Sequence, residues 1–237
     1  MRLGLVAAPT GHVPEPVARC CRAVPESYFE TFGETGARRI TFRGGNILNL
    51  CVFAGSSLGC RTAYEKAAIA FGEALASRKI GLVYGGASVG LMGVVADAVL
   101  QNGGSVIGVI PQSLADVEIA HAELTELKIV PSMHERKAQM AELSDAFVML
   151  PGGIGSLEES FEMWTWSQLG IHHKPIGLLN VDGFYDGLVS FLDHLVAEEF
   201  VKPIHRNILL ADDEPERLID RLSTAEVPTE GKWWLRQ

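Results

Sequence analysis

From Leu50 onward the chain alternates short apolar runs with longer amphipathic stretches. The runs are LCVFA (50–54), IGLVY (80–84), SVIGVI (105–110), ELKIV (126–130), AFVML (146–150), PIGLLN (175–180) and ILLA (208–211). Each is four to six residues long, and all but ELKIV, which carries Glu126 and Lys128, lack polar alternation, the pattern of strands buried on both faces of a parallel sheet. Helices are predicted from Thr62, from about Leu91, from Ser132, from Ser156 and over residues 183–200, with one more after ILLA. A polar connection separates SVIGVI from ELKIV. Strand–helix alternation of this kind predicts an α/β fold: a Rossmann-like open parallel sheet of about seven strands with helices on both faces. No internal repeat is visible.

The first 49 residues lack any such period, and Gly and Pro recur through them. They read as an irregular extension, either disordered or a non-native start. Residues 50–226 form the expected domain and 227–237 a tail. Residues 1–50 hold six Arg and four Glu with no Lys or Asp, a net of +2, so the remainder carries −11 of the total −9. Glu15, Glu26, Glu30 and Glu34 argue against an organelle transit peptide, which would be poor in acids. Hydrophobic residues make up 47% of the 237 and charged residues 21%, which excludes a disordered chain. The negative balance disfavours nucleic acid or an anionic membrane as the main partner. No segment approaches the ~18 apolar residues of a membrane span. Cys20, Cys21, Cys51 and Cys60 form neither a disulfide framework nor a zinc pattern, so a reducing cytoplasm is the expected location.

Open α/β sheets bind ligands where strands end and helices begin. Three strands here run into small-residue turns: Gly55–Gly59, Gly85–Gly90 and Pro151–Ser156. Each can present backbone N–H groups to an anion at a helix N-terminus. Each is also what a tight strand–helix turn requires of glycine. Three at one sheet edge favour a phosphate-bearing ligand. A nicotinamide dinucleotide is disfavoured, because the G-x-G-x-x-G match beginning at Gly153 and Gly155 carries Glu158 in its third glycine position, although Asp182 could pass for the ribose acid. No G-K-[ST] follows any of the turns, so a P-loop is excluded. A single phosphate suits the 151–156 loop better.

Three S/T-x-x-E patterns, Thr62–Glu65, Ser132–Glu135 and Ser156–Glu159, read as capping boxes. On pattern alone Glu159 is therefore structural, yet it lies one turn beyond the phosphate loop, where a carboxylate can reach a sugar. Arg136 sits beside an apolar stripe of Met133, Met140 and Leu143, with Lys137 on its other margin. Both snorkelling into water and inward pairing with a carboxylate or phosphate fit that spacing. His172 and His173 are read as a surface loop and not as metal ligands. Phe161, Trp164 and Trp166 are read as core or subunit interface.

These segments together resemble the Lonely Guy family, the cytokinin riboside 5′-monophosphate phosphoribohydrolases. Residues 151–159 (PGGIGSLEE) are similar to the family's PGGxGTxxE signature, and residues 132–137 (SMHERK) to its MHxRK segment. Residues 51–57, Tyr84–Gly86 with Gly90–Gly93, and residues 164–170 also fit. The resemblance covers about residue 50 to the end of the last helix. Ser156 stands where the signature has Thr, and Ala87 where a third Gly is usual. The resemblance implies cleavage of a nucleoside 5′-monophosphate to free base and ribose 5-phosphate. It implies Arg136 and Glu159 as the catalytic pair. It further implies that Glu118, Arg136, Lys137, Gly153, Ile154, Gly155, Ser156, Leu157, Glu158, Glu159 and Thr165 bind the substrate. No metal or organic cofactor is expected, and a homodimer with sites near the interface is. A non-catalytic nucleotide carrier on the same fold is the rival reading. A lysine decarboxylase is disfavoured, since no lysine sits in a context suited to a pyridoxal Schiff base.

Overall fold

Each predicted apolar run is a strand in the structure, a computed structural model that describes residues 47–115 and 120–228. The elements are β1 (Asn49–Phe53), α1 (Thr62–Ser77), β2 (Gly81–Tyr84), α2 (Gly90–Gln101), β3 (Val106–Pro111), a short α3 (Gln112–Ala115) and β4 (Glu126–Val130). There follow α4 (Met133–Leu143), β5 (Ala146–Met149), α5 (Ile154–Gln168), β6 (Ile176–Leu179), α6 (Asp186–Ala197), α7 (Pro203–Arg206), β7 (Leu209–Asp212) and α8 (Pro215–Thr224). The strands form one seven-stranded sheet in the order β4-β3-β2-β1-β5-β6-β7. Every pairing is parallel, with Leu50 opposite Leu82 on one side and Ala146 on the other.

Alternation along β1 feeds two cores. Leu50 and Val52 pack with Phe71 of α1, Val95 of α2 and Leu218 of α8. Cys51 and Phe53 pack with Met140 of α4, Met163 and Trp164 of α5 and Leu192 of α6. A strand buried on both faces has no use for polar alternation, which is why these runs are continuously apolar. Burying a side chain such as Leu50 or Phe71 completely contributes about 1.5–3 kcal/mol each.

The chain moves outward from β1 through β2 and β3 to β4, then returns to β5 on β1's other side. The crevice between the carboxyl ends of β1 and β5 is thus the topological switch point, where an open α/β sheet receives its ligand. Two of the three small-residue turns lie there. The amide of Gly55 donates to the carbonyl of Pro151 across 3.1 Å, joining them. The third turn leans on the first: Gly90 has φ +60, and a Cβ there would enter the backbone of Ser56 and Ser57.

Two capping expectations are corrected. Helix α5 starts at Ile154 with Gly153 at its N-cap, so Ser156 lies inside the first turn and Glu159 in the second. Helix α1 starts after Arg61, with no side-chain cap. Only the Ser132 reading holds in part, its hydroxyl accepting from the amide of Glu135 at 3.3 Å. The predicted helix over 183–200 begins later, at Asp186, because Asn180 Oδ1 takes the Tyr185 amide at 2.6 Å and Asp182 adopts φ +50. His172 is not a plain surface residue either. Its ring lies 5.2 Å from that of Phe147, and burial, then the Lys174 charge, lower its pKa to about 4. Trp164 is core, as expected, with its indole N–H donating to the His205 carbonyl at 2.8 Å. Residues 1–46, 229–237 and Glu118 lie outside the described residues.

Candidate active site

Helix α4 carries two cations where an ordinary amphipathic helix would carry apolar side chains. Its buried residues are Arg136, Lys137, Met140 and Ala141, so each cation sits one turn before a buried apolar neighbour. Both side chains are only 8% exposed. Buried charge is costly unless paired, and the partners come from α5. The guanidinium Nη2 of Arg136 is 3.8 Å from Glu159 Oε1. Lys137 Nζ is 2.5 Å from Glu158 Oε1 and 2.9 Å from Glu162 Oε2. Burial alone would lower the Lys137 pKa, but these two carboxylates more than offset it and raise it above the ordinary lysine value.

Glu158, Glu159 and Glu162 lie at i, i+1 and i+4, so one turn of α5 meets two consecutive cations of α4. The inward reading of Arg136 and Lys137 is therefore the one that holds. Arg136 also faces the turn after β2: its Nη2 is 3.5 Å from the carbonyl of Gly85, and a Cβ on Gly85 would collide with that same nitrogen. Any side chain here would force the guanidinium to shift. The buried Nε of Arg136 has no hydrogen-bond partner among the described residues.

Above this pair the first turn of α5 is open. Its N-cap Gly153 supplies no side chain, and the space beside Gly153 and Gly155 is empty to 4 Å. Ile154 is 86% exposed. The first intrahelical bond runs from the Leu157 amide to Gly153 O at 3.1 Å, leaving the preceding amides directed at the opening. Ser156 is buried against Gly152. Unpaired amides at the positive end of a 15-residue helix suit a phosphate.

Cys51 lies beneath the pair and is not a nucleophile. Burial first, and then the charge of Glu159, push its thiol well above the ordinary value. Thr165 is exposed and donates to the Phe161 carbonyl at 2.7 Å. It is seven residues, or about 10 Å of helix rise, beyond Glu158, so the single chain does not bring it to the pair. Sequence reasoning placed Gly85 in a candidate turn without linking it to Arg136, and it missed Glu162. The i+4 spacing of Glu162 from Glu158, toward a buried lysine, was the available signal for the second.

A cavity of about 590 Å³ opens elsewhere, at the carboxyl ends of β6 and β7. Its walls set five acids, Asp182, Asp186, Asp212, Asp213 and Glu214, against one cation, Arg217, a balance that disfavours a phosphate. Among the described residues no group of His, Cys, Asp and Glu is arranged to hold a metal, and no helix is long and apolar enough to cross a membrane.

An open parallel sheet with anion-ready turns at its switch point, flanked by a buried arginine–glutamate pair, defines an α/β protein that handles a small phosphorylated ligand. Comparison with known proteins narrows this class. A family described as "Possible lysine decarboxylase" matches residues 92–222. The "Probable cytokinin riboside 5'-monophosphate phosphoribohydrolase LOGL9" of Oryza sativa subsp. japonica is 47% identical over 209 residues, covering 88% of this chain and 90% of the relative. The "Cytokinin riboside 5'-monophosphate phosphoribohydrolase LOG1" of Arabidopsis thaliana is 51% identical over 173 residues, covering 73% and 81%. The chain belongs to this Lonely Guy family of cytokinin riboside 5′-monophosphate phosphoribohydrolases. Among solved structures, the molybdenum cofactor binding protein of Rippkaea orientalis aligns with a TM-score of 0.54 at 20% identity, covering 73% of this chain and 93% of that one. The molybdenum cofactor carrier protein of Chlamydomonas reinhardtii aligns with 0.54 at 17%, over 73% and 93%. Identity at that level speaks for the fold alone.

Proposed function

We propose that this chain hydrolyses the N-glycosidic bond of a purine nucleoside 5′-monophosphate, with N6-modified adenine as the base class, releasing free base and ribose 5-phosphate. The observation that carries the reading is the buried Arg136–Glu159 pair beside the open first turn of α5. Membership of the family supports the same activity.

The proposed substrate places its 5′-phosphate on the amides of Gly153, Ile154, Gly155 and Ser156, with Leu157 alongside, and its ribose near Glu159. As the C1′–N bond lengthens, positive charge develops on the sugar, and the Glu159 carboxylate stabilises it at short range. Water attacks C1′, its oxygen forming the new bond while Glu159 takes its proton. The bonding pair of the broken C1′–N bond leaves with the base, which takes up a proton from solvent as Glu159 returns the one it accepted. Arg136 keeps the carboxylate facing the ring, and its planar fork leaves donors for the phosphate. Lys137 reaches the phosphate by releasing Glu158, the more exposed of its two partners, while Glu162 stays. Binding energy from the phosphate, remote from the reacting bond, holds the sugar in place and favours nucleotides over nucleosides.

Glu118 and Thr165 are proposed as further substrate contacts. A second copy of the chain would bring Thr165 into use. In support, Ile154, Leu169 and Ile171 are exposed apolar residues along α5 and just beyond it, so a homodimer packed near the site is the proposed assembly. The proposed domain spans residues 50–226, and the cytoplasm is its proposed location; Cys51 and Cys60 are unpaired thiols.

The test is a panel of AMP, N6-isopentenyl-AMP, GMP and CMP, with free base measured by chromatography. Release of adenine-type base with ribose 5-phosphate is expected. Saturable nucleotide binding with no base released from any of the four would replace the enzyme with a carrier.

A further inference from the structure

We infer that His121, held by Asp97, is a positioning residue for the catalytic site: it pins the Gly85–Gly86–Ala87 turn against which Arg136 rests. The inference deepens the phosphoribohydrolase reading and rests on it for its kinetic consequence.

The β2–β3 ladder ends at the pair Tyr84–Gly108. The three residues that follow must keep their place without a strand partner, and Arg136 depends on the first of them. What holds them comes from the connection between β3 and β4. The His121 amide donates to the Gly86 carbonyl at 3.0 Å, and Ala87 forms an isolated antiparallel bridge with Ala120. The His121 ring then reaches back to α2, the helix that begins directly after the turn, where its Nε2 is 2.8 Å from Asp97 Oδ1. The path from Gly86 through α2 to Asp97, across to His121 and back to Gly86 is a closed loop. The turn cannot slide past the helix without breaking one of its bonds.

The ring chemistry supports a built arrangement. The amide of Glu123 donates to His121 Nδ1 at 3.2 Å, so Nδ1 is the acceptor and Nε2 carries the proton that Asp97 accepts. Histidine is the side chain that can accept on one ring edge and donate on the other in a fixed plane. The His121 side chain is 8% exposed while Asp97 is about half exposed, so water cannot easily replace the histidine's half of the bond. Nearby, the Tyr84 hydroxyl is buried with no hydrogen-bond partner among the described residues. Burial first, then the Asp97 charge, push that phenol well above its ordinary value. It therefore remains a hydroxyl beside Asp97 at the root of the turn. An apolar residue at 121 would keep the backbone bond to Gly86 but lose the ring's bonds to Asp97 and the Glu123 amide, which hold that backbone in place.

The experiment compares His121→Ala, His121→Gln, which keeps a donor near the Nε2 position, Asp97→Asn, which keeps an acceptor, and Asp97→Ala. Steady-state hydrolysis of N6-isopentenyl-AMP is read alongside the Arg136 Nε–H resonance. His121→Ala and Asp97→Ala should lower kcat about tenfold and move the Arg136 signal, and His121→Gln and Asp97→Asn should return most of the rate. In an Arg136→Lys background, His121→Ala should cost little more, because residues acting through one another are not additive. A full additive loss there, or an unmoved Arg136 signal with unchanged kcat, overturns the assignment. If His121→Ala does not fold, the two Asp97 variants decide by the same readings. A wild-type protein that releases no base from any nucleotide overturns the activity instead, and the Arg136 signal then decides the positioning role alone.

Discussion

Two regions at the carboxyl edge of the sheet gather charge, and they do opposite things with it. At the ends of β1 and β5, two buried cations of α4 face three carboxylates of α5, beneath a turn of open amides. At the ends of β6 and β7, Asp212 is buried between Arg217 and Arg221, but the surrounding wall is acidic and the arginines are about half exposed. The second region offers a cavity of about 590 Å³ and the weaker chemistry. Its ion pairs are satisfied within one helix–strand unit and tie α8 to β7. The first region couples two helices across the switch point and leaves Arg136 Nε buried with no hydrogen-bond partner among the described residues. Charge density alone does not mark a site. Buried cations beside unpaired backbone donors do.

The largest expected effect breaks the comparison if it fails. Glu159→Gln should lower kcat by about 10²–10⁴-fold, with melting temperature nearly kept, whereas Asp186→Asn in the acidic cavity should leave kcat within about twofold, as a change outside the reacting centre does. Equal losses, or a loss only in the second variant, would move the chemistry to the wrong region.

A smaller change sharpens how the first region is held. Gly85→Ala puts a methyl group against the Arg136 guanidinium, and a displacement near 1 Å costs about 10²-fold in kcat. The check is a kinetic assay with a crystal or NMR measurement of the Arg136 position; unchanged kinetics would show that Arg136 can yield without loss.

The second region should show itself in acid. Burial would raise the Asp212 carboxyl, but the hydrogen bonds of Arg217 and Arg221 outweigh it and hold its pKa at about 2. A carboxyl lowered on folding stabilises the protein above its ordinary pKa, near 4, and that contribution is lost as pH falls toward 2, on the order of 1 kcal/mol. Thermal melts across that window should therefore decline more steeply in the native protein than in Asp212→Asn. Identical slopes would remove Asp212 from the ledger.

The smallest expected effect is from the first 46 residues. A chain beginning at Ile47 should keep its melting temperature and hydrolysis within about twofold, because Ile47 and Leu50 are buried in the domain's own core. Loss of folding would overturn the domain boundary placed there.

Most strands were legible because burial on both faces writes itself as unbroken apolar runs; all seven runs became strands, and ELKIV, with Glu126 and Lys128, is the exposed edge strand β4. Helix starts were less so. The pattern Ser156–Glu159 reads as a capping box, yet Gly153 begins α5, since backbone geometry at a glycine turn can start a helix without a hydroxyl. That shift of the N-cap by three residues is what frees Glu159 from a capping role and turns it toward Arg136. The burial of His172 was illegible for a related reason: its loop packs on Phe147 of β5, which is distant in sequence.

By itself the sequence determined the α/β alternation, the three turns and the family's ordered motifs, because local periodicity and turn chemistry are properties of neighbouring residues. Which way Arg136 and Lys137 point was decided only by tertiary structure. The same helical spacing serves a snorkelling cation and a buried one, and the choice depends on where α5 places its carboxylates. The clamp of His121 between Gly86 and Asp97 is of the same kind. It joins residues that no period or spacing relates, and only the packing of the β3–β4 connection over the sheet edge brings them together.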